Sequence, residues 1–431
     1  MNLSIILAGL AIILFFIYFF YTGATRSSYL LFVVMFLPLM DLGVTPAAFG
    51  GLSVFDAISF VSAFLCYKDI LHVSKKTNAY LYLFLIFLVF LVLGSMASEF
   101  VSKSLFNILG VIPPFIFIRL LLKEMEANQL FLKKIIQYLK IACFIAIGFI
   151  GVQMLLGLDF TFYTSLNQNV MDGGKIRYPG FFADSQMSGV FLAMMSFFFL
   201  LNLKDPKRPT TNNYIYFGIA ILAVILAGSR SALLGFGAGL LILAIFVGGN
   251  FRLTAMVFGV LIGVVLLYFA DSFVLFQRFS TLDDSLDFRA SIWDGAYEIF
   301  KKNFSLGIGI NNYQDYAKLH SQDQFLLIDN DEILFLDAPE NGYLKLLTEF
   351  GFFGFITLFL LIISPLINVF YQFVMAKKVS VAFYFVAPIV CWFLSFTSLY
   401  TLSDSRIIIA LCANLSFIIA YPINPLTKYE D

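Results

Sequence analysis

Three arginines lie at positions from which their side chains could hold a phosphorylated ligand. Arg230 follows Gly228 and Ser229 between two long apolar runs, so the sequence predicts a tight reversal with the cation at the membrane surface. Arg289 opens the segment RASIWDGAYEIFKKN, and Arg177 lies in KIRYPGFFADSQMSG. A guanidinium group carries a planar fork of donors that matches the oxygens of a phosphate. The three arginines are therefore candidates for binding a doubly phosphorylated lipid.

Two of these arginines also have plainer interpretations that the sequence leaves open. Arg230 is explained equally by a side chain that snorkels from the end of a membrane helix. Arg289 is explained equally by a surface ion pair with Asp287 or Asp284. The choice between ligand binding and these structural roles depends on where the side chains meet.

Glu340, in the segment LDAPENGYLKLLTEFGFFGF, is the candidate general base. At the outer mouth of a membrane helix, apolar and aromatic neighbours would make its carboxylate a stronger base. The same segment resembles a helix start, with Asp337 as N-cap, Pro339 in the first turn and Glu340 three residues after the cap. The sequence favours neither explanation over the other.

The composition indicates a membrane protein. Hydrophobic residues make up 61% of the chain and charged residues 13%, against about 25% charged residues in soluble domains. The formal net charge is zero, which removes bulk electrostatics as a basis for nucleic-acid binding. The chain has only two histidines, so we predict no histidine metal cluster, no bound metal and no cofactor. The four cysteines are predicted to be small buried side chains, namely Cys66, Cys143, Cys391 and Cys412.

Apolar runs of roughly spanning length recur along the chain, and Asp56 is the one charged residue within them. A helix needs about 20 apolar residues to cross a bilayer, so we predict an all-α polytopic membrane protein with about 12 to 13 transmembrane helices. The runs lie near residues 2–25, 27–40, 51–63, 77–98, 104–118, 141–158, 185–203, 209–229, 231–251, 253–270, 351–376, 379–403 and 407–427.

The charges in the loops predict the orientation of the chain. Lysine and arginine are concentrated in alternate short loops, which the positive-inside rule places in the cytoplasm. The segment 271–342 then lies outside, together with the shorter loop 159–184, and it carries nearly half of the chain's 27 acidic residues. We predict an N-terminal bundle in residues 1–270, an outer loop domain in 271–342 and C-terminal membrane helices in 343–431.

Within the outer segment, residues 289–303 have the pattern of an amphipathic helix. Apolar side chains recur at helical spacing on one face, at Ile292, Trp293, Ala296, Ile299 and Phe300. Such a helix could lie along the outer membrane face. The following SLGIGINNY is predicted to be a turn without chemistry of its own. The acidic runs 283–284 and 329–332 are predicted to be solvated loop rather than a cation site.

Four motifs in order resemble the O-antigen ligase and O-antigen polymerase superfamily of bacterial envelopes. They are GSRSALLG, RASIWDGAYEIF, SLGIGINNY and PENGYLKLLTEFGFFG, and IRYPGFFADSQMSG upstream is similar to that family's short outer-loop motif. The resemblance covers about residues 177–354.

The resemblance implies a GT-C-like, inverting, metal-independent glycosyltransferase at the periplasmic face of the bacterial inner membrane. Its donor would be a glycan on undecaprenyl pyrophosphate, with the pyrophosphate bound by Arg230 and Arg289 and with Arg177 as a further candidate. Ligases of the family carry a histidine before the asparagine of the N-x-x-L motif, proposed to deprotonate the acceptor. This chain carries Glu340 there instead. The supporting residues would be Asn341, Trp293 and Tyr343.

The carboxylate in place of the histidine favours a polymerase, which joins two lipid-linked glycans, over a ligase onto lipid A–core. The protein partners implied are a chain-length regulator and a flippase. A flippase or other transporter is the alternative from a different class, although transporters usually hold ionisable residues near the middle of the membrane. A scaffold in glycan export is a further alternative.

Overall fold

We describe the fold from a computed structural model of the chain. The structure describes residues 3–45, 51–71, 78–128, 130–167, 170–172, 175–203, 209–247, 282–320, 326–329, 332–335, 339–376 and 380–420. The predicted apolar run 253–270 and most of both acidic runs lie outside these residues or outside the side chains that are described.

The described residues of the first half of the chain form nine α-helices and a short hairpin. The helices are α1 (Leu3–Tyr21), α2 (Arg26–Met35), α3 (Val54–Leu65), α4 (Tyr67–Leu71), α5 (Asn78–Ala97), α6 (Val101–Ile108), α7 (Ile112–Ala127), α8 (Phe131–Leu156) and α9 (Ser185–Leu200). Strands β1 (Met171–Asp172) and β2 (Lys175–Ile176) pair antiparallel between α8 and α9.

The second half adds seven described helices and a second hairpin. The helices are α10 (Thr211–Ala227), α11 (Arg230–Phe246), α12 (Leu282–Lys302), α13 (Tyr313–His320), α14 (Gly342–Ala376), α15 (Phe383–Ser395) and α16 (Ser405–Ala420). Strands β3 (Leu326–Asp329) and β4 (Glu332–Phe335) form an antiparallel pair.

The prediction of an all-α polytopic membrane protein is confirmed. Among the described residues, five helices are long and apolar enough to cross a membrane, and seven further apolar helices have 10–17 residues. Each predicted apolar run that falls on described residues corresponds to one of these helices. Helix α3 begins with a capping box between Ser53 and Asp56. This role explains why Asp56 is the one charged residue within the predicted apolar runs.

Loops that the charge pattern assigned to one side of the membrane lie together. At one end of the bundle, Arg26 bonds to Asp69 and to Glu124, each at 2.7 Å. At the other end, Lys103 bonds to Asp315 in the outer segment at 2.5 Å. The grouping of the loops into two sets therefore agrees with the fold.

Helix α15 lies in the core of the bundle. Its side chains at residues 383–389 are buried on all sides, as expected for a helix that is apolar all round. Glycines of α11 allow the two helices to approach closely, since a Cβ added to Gly235 would lie 2.4 Å from the carbonyl oxygen of Cys391. The end of α15 is therefore held rigidly in the bundle, and neighbouring elements can pack against it.

Helix α14 is kinked at Gly351, where the backbone has φ 65° and leaves the helical region. The turn 305–313 fits into this kink. Ile308 N–H donates to Thr348 O at 3.0 Å, and Phe352 N–H donates to Phe304 O at 2.7 Å. The turn therefore joins the outer segment to the membrane helix through the backbone.

Candidate functional site

Helix α12 carries Arg289 and packs its apolar face onto the rest of the outer segment. Ile292, Ala296 and Ile299 are buried together with Ile308 and Tyr313. The amphipathic helix is present as predicted, but the idea that its apolar face lies on the membrane surface is wrong, because protein covers that face. This packing fixes the position of α12 relative to the turn and to α14.

Arg289 and Glu340 form an ion pair between the guanidinium and the carboxylate. The side chain of Arg289 is 18% exposed, whereas that of Glu340 is 48% exposed. The partner proposed for Arg289 from the sequence was Asp287 or Asp284, whose side chains lie outside the description. The structure thus brings a candidate phosphate-binding cation and the candidate base to one place, with the carboxylate open to solvent.

Asn341 caps the helix that follows Glu340. The Oδ1 atom of Asn341 accepts from the N–H of Tyr343 at 3.1 Å and from that of Leu344 at 3.2 Å. Helix α14 begins at Gly342, so Glu340 precedes the cap instead of lying in the first turn. The capping-box explanation of Glu340 is therefore wrong, and its carboxylate is not required to start the helix.

Trp293 lies one helical turn after Arg289 on α12, so the two side chains are neighbours on the helix surface. Its indole Nε1 is buried and has no hydrogen-bond partner among the described residues. An indole N–H is a donor only. Trp293 therefore offers a donor beside the arginine.

Arg230 is the first residue of α11, and the tight reversal before it is present. Helix α10 ends at Ala227, and Gly228 adopts a left-handed conformation with φ 66°. Ser229 is the N-cap of α11, accepting from Ala232 N–H. The side chain of Arg230 is partly exposed. A cation at the N-terminus of a helix adds to the positive end of the helix dipole, which favours binding of an anion.

Arg177 is fully buried against this reversal. Its Nε donates to the carbonyl oxygen of Ala227 at 3.3 Å. A Cβ added to Gly228 would lie 2.9 Å from the same Nε, so the arginine lies directly on the glycine. The Tyr178 N–H also donates to Leu226 O at 3.2 Å. These contacts attach the loop 157–184 to the turn that presents Arg230.

The end of α15 links the two groups of candidate residues. Ser395 Oγ donates to Ser231 O at 3.3 Å, next to Arg230. The carbonyl of Phe396 accepts from Gly342 N–H at 2.9 Å, next to Glu340. Tyr343 donates its hydroxyl to Phe393 O at 2.8 Å, and its ring meets that of Phe396 edge-on. The segment that carries Arg230 and the segment that carries Glu340 therefore both bond to residues 393–396 at the end of α15.

Sequence reasoning missed a buried ion cluster around Arg406. This arginine bonds to Asp404 at 2.5 Å and to Asp41 at 3.2 Å, and it lies over the ring of Phe182 at 4.0 Å. Burial and the neighbouring Asp404 carboxylate raise the pKa of Asp41 to about 7, although Arg406 acts in the opposite direction. No local pattern connects positions this far apart in the chain, so only the fold could show the cluster.

Sequence reasoning also missed Glu349. The side chain is 2% exposed, and it accepts hydrogen bonds from the backbone N–H groups of Asn311 and Tyr313. The turn 305–313, predicted to be without chemistry, therefore positions a buried carboxylate. The available signal was a glutamate placed beside the long apolar run that begins at Gly351.

A family model described as O-antigen ligase matches residues 215–360 of the chain. The matched segment contains Arg230, Arg289 and Glu340, whereas Arg177 lies before it. No individual curated protein matches the chain. The match confirms the resemblance of this chain to the O-antigen polymerase and ligase superfamily.

Proposed function

We propose that this chain, with its segment of the O-antigen ligase family, is a polymerase of O-antigen or a related surface polysaccharide. It would transfer the growing glycan from undecaprenyl pyrophosphate to the non-reducing end of a new lipid-linked repeat unit. The observation that carries the proposal is the Arg289–Glu340 ion pair, because it sets a base beside a phosphate-binding cation.

The transfer breaks the bond between the anomeric carbon of the donor glycan and an oxygen of the pyrophosphate. A hydroxyl oxygen of the acceptor sugar forms the new bond to that carbon. Glu340 would take the hydroxyl proton, since its carboxylate reaches solvent and is free of a capping role. The leaving group is undecaprenyl pyrophosphate, which departs with the electron pair of the broken bond.

Arg230 and Arg289 would bind the pyrophosphate and stabilise the charge that develops on it. Arg230 contributes from the N-terminus of α11, whose dipole favours the anion. Arg289 has donors on its fork beyond those facing Glu340, so it can contact both the base and the phosphate. Arg177 is buried beneath the α10–α11 turn and would hold Arg230 in position. We expect Trp293 to supply a donor, Asn341 to cap α14, and Tyr343 to fix that helix on α15.

The proposed donor and acceptor are both lipid-linked glycans, and no metal or cofactor enters the proposed reaction. We place the site on the periplasmic face of the bacterial inner membrane, following the charge pattern of the loops. The domain division into residues 1–270, 271–342 and 343–431 remains part of the proposal, as do a chain-length regulator and a flippase as partners.

A ligase is the second candidate, because the matching family model is described as O-antigen ligase. The residue before Asn341 argues for a polymerase, since this chain has a carboxylate where ligases of the family carry a histidine. Transfer onto lipid A–core would use the same arginines and the same base with a different acceptor.

The glycan ladder of a strain that lacks the gene tests the proposal. Loss of the polymerase leaves lipid A–core capped with a single repeat. Loss of a ligase leaves bare core and accumulated lipid-linked polymer, and loss of a flippase leaves the repeat inside the cell. Complementation with Glu340→Gln should not restore the ladder. Glu99→Gln, the same change at an outer glutamate that bonds to His320 instead, should restore it fully.

A further inference from the structure

A cavity of about 470 Å³ lies beside α14, and its described lining residues include none of Arg177, Arg230 and Arg289. Helices α3, α5, α6, α7, α14 and α16 contribute its walls. Its volume falls in the range of small-molecule pockets, which are usually apolar with a few precisely placed polar groups. The cavity is therefore large enough for a ligand, and its polar groups indicate which kind.

Two of the polar groups that line the cavity lack hydrogen-bond partners among the described residues. One is Oε1 of Glu349, an acceptor on a side chain that is 2% exposed, and Lys345 Nζ lies 3.9 Å from it, beyond hydrogen-bond distance. The other is Nδ2 of Asn107, a donor. A buried polar group without a partner costs about 1 to 3 kcal/mol, so a native site that keeps two of them is matched to a ligand that bonds to both.

The charges around the cavity disfavour a phosphate as its ligand, although Arg406 pairs with Asp41 at 3.2 Å and Lys345 Nζ lies 3.9 Å from Glu349 Oε1. The described residues that line it include the carboxylates of Asp41, Asp56 and Glu349, but neither lysine nor arginine. An anionic group is therefore disfavoured in the cavity, and an uncharged polar ligand fits its lining.

Aromatic rings complete the lining, among them Tyr80, Phe87, Phe350 and Tyr400. A ligand that fits must present both hydroxyl donors and acceptors to the polar groups and C–H faces to the rings. A sugar ring has both properties. An aliphatic chain has no hydroxyl groups, and a phosphate is disfavoured by the carboxylates of the lining.

We propose that this cavity is the subsite for an uncharged sugar ring of the acceptor glycan, which donates a hydroxyl to Glu349 and accepts from Asn107. The proposal rests on the proposed function, because it assigns the ligand as part of the acceptor. Glu349 and Gly342 lie on the same segment of α14, separated along the helix axis by about 10 Å. An oligosaccharide held in the cavity can therefore extend toward Glu340 at the start of that helix.

The test measures binding of the free repeat-unit oligosaccharide, released by mild acid from the lipid-linked pool of the same cells and labelled at its reducing end. The full chain is held in lipid nanodiscs. We expect saturable binding that inorganic pyrophosphate does not displace. Glu349→Gln places an NH2 donor where the sugar hydroxyl would donate, and it should weaken binding by about 10-fold, as expected when a buried hydrogen bond is lost. Glu99→Gln is the matched control and should bind as the wild type does.

Gly110→Phe is a second variant, and it tests the cavity even if the protein does not fold normally when Glu349 is changed. Gly110 lines the cavity, and a Cβ added there meets no atom within 4 Å, so a phenyl ring can fill the space. This variant should fold normally and lose binding. Its control is Gly148→Phe, at an exposed position of α8 where an added Cβ also meets no atom within 4 Å.

Three results would overturn the subsite. They are the absence of oligosaccharide binding to the wild type, binding that Gly110→Phe leaves intact, and displacement by pyrophosphate. If any of these occurs while the deletion strain loses its polymer, the subsite is wrong and the polymerase proposal stands. A deletion strain with a normal ladder removes the polymerase proposal itself.

Discussion

The carboxylate of Glu340 and the guanidinium of Arg289 meet across the gap between α12 and α14 as an ion pair. The two residues belong to different segments, and neither segment by itself indicates the contact. The pair joins the outer segment to the start of the membrane helix, and it leaves the carboxylate partly open to solvent.

A charge exchange at this pair separates a structural role from a chemical one. Glu340→Gln should lower polymer formation by about 100-fold or more, the usual effect of removing a general base. The double variant Arg289→Glu, Glu340→Arg restores an ion pair but places neither group correctly, so it should stay inactive while its membrane level is normal. Glu340→His should retain part of the activity. Polymer formation by the exchanged pair at wild-type levels would show that only the ion pair matters.

Arg230 and Arg177 should respond differently to substitution. Arg230→Ala should abolish the polymer with little change in protein level, because the side chain is partly exposed at the α11 start. Arg230→Lys keeps the charge and loses the fork, so it should retain a small fraction of activity. Arg177→Ala leaves a buried space and an unbonded Ala227 carbonyl, at a cost of about 2 to 4 kcal/mol. Ladder and membrane level are measured together, and a fully active Arg177→Ala protein would contradict the positioning role.

Gly351→Ala should prevent assembly of the outer segment on α14. The residue has φ 65°, and an added Cβ would lie 2.4 Å from the backbone nitrogen of Gly307. Both the backbone conformation and the clash are unfavourable, by about 3 kcal/mol or more in total. Gly148→Ala is the control, expected within about 1 kcal/mol of the wild type. Thermal unfolding of the purified proteins measures the difference in stability. Equal melting temperatures for Gly351→Ala and the wild type would contradict the need for glycine at the kink.

The ion cluster around Arg406 predicts a pH dependence of stability. The folded protein holds the pKa of Asp41 at about 7, against an ordinary value of 3.8 for the unfolded chain. Between these values the folded state binds more protons than the unfolded state, so stability falls as pH rises, by up to about 1.4 kcal/mol per pH unit. The stabilisation is present at acidic pH and is lost through neutrality.

Asp41→Asn should therefore flatten the decline in melting temperature between about pH 5 and pH 8. Asp315→Asn is the control, because that carboxylate lies partly exposed in an ion pair with Lys103. If the melting temperatures of the wild type and Asp41→Asn fall in parallel as pH rises, Asp41 is not the source of the pH dependence.

Thiol labelling tests the proposed orientation. All four native cysteines are buried, so single cysteines can be introduced at exposed positions. Lys301→Cys on α12 should react with a membrane-impermeant maleimide in cells whose inner membrane is intact. Lys134→Cys on α8 should react only after permeabilisation, since its loop is rich in lysine. The reverse labelling pattern would place the site in the cytoplasm.

The helices could be predicted from sequence because hydrophobic runs of spanning length have few alternative structures in a membrane. The reversal before Arg230 could be predicted as well, because a connection of only a glycine and a serine between two apolar runs requires a tight turn. Three ion pairs agree with the grouping of the loops by charge, since Arg26 of one set contacts Asp69 and Glu124, and Lys103 of the other contacts Asp315.

Contacts between distant segments could not be predicted. The partner of Arg289 was sought among neighbouring aspartates, whereas the fold supplies Glu340. The helix start was assigned to Asp337, although Asn341 has the same capping chemistry and lies where the helix begins. Glu349 was passed over because a lone glutamate before an apolar run carries no indication of the turn that bonds to it.

The distance in sequence between Asp41 and Arg406 also bears on how the polypeptide is made. The Asp41 carboxylate enters its final surroundings only when Asp404 and Arg406 arrive with α16, which the ribosome delivers long after α2 and α3. Those early helices have 10 and 12 residues, too few to cross a hydrocarbon core of about 30 Å alone. The surroundings of Asp41 are therefore completed only after the last described helix has been made.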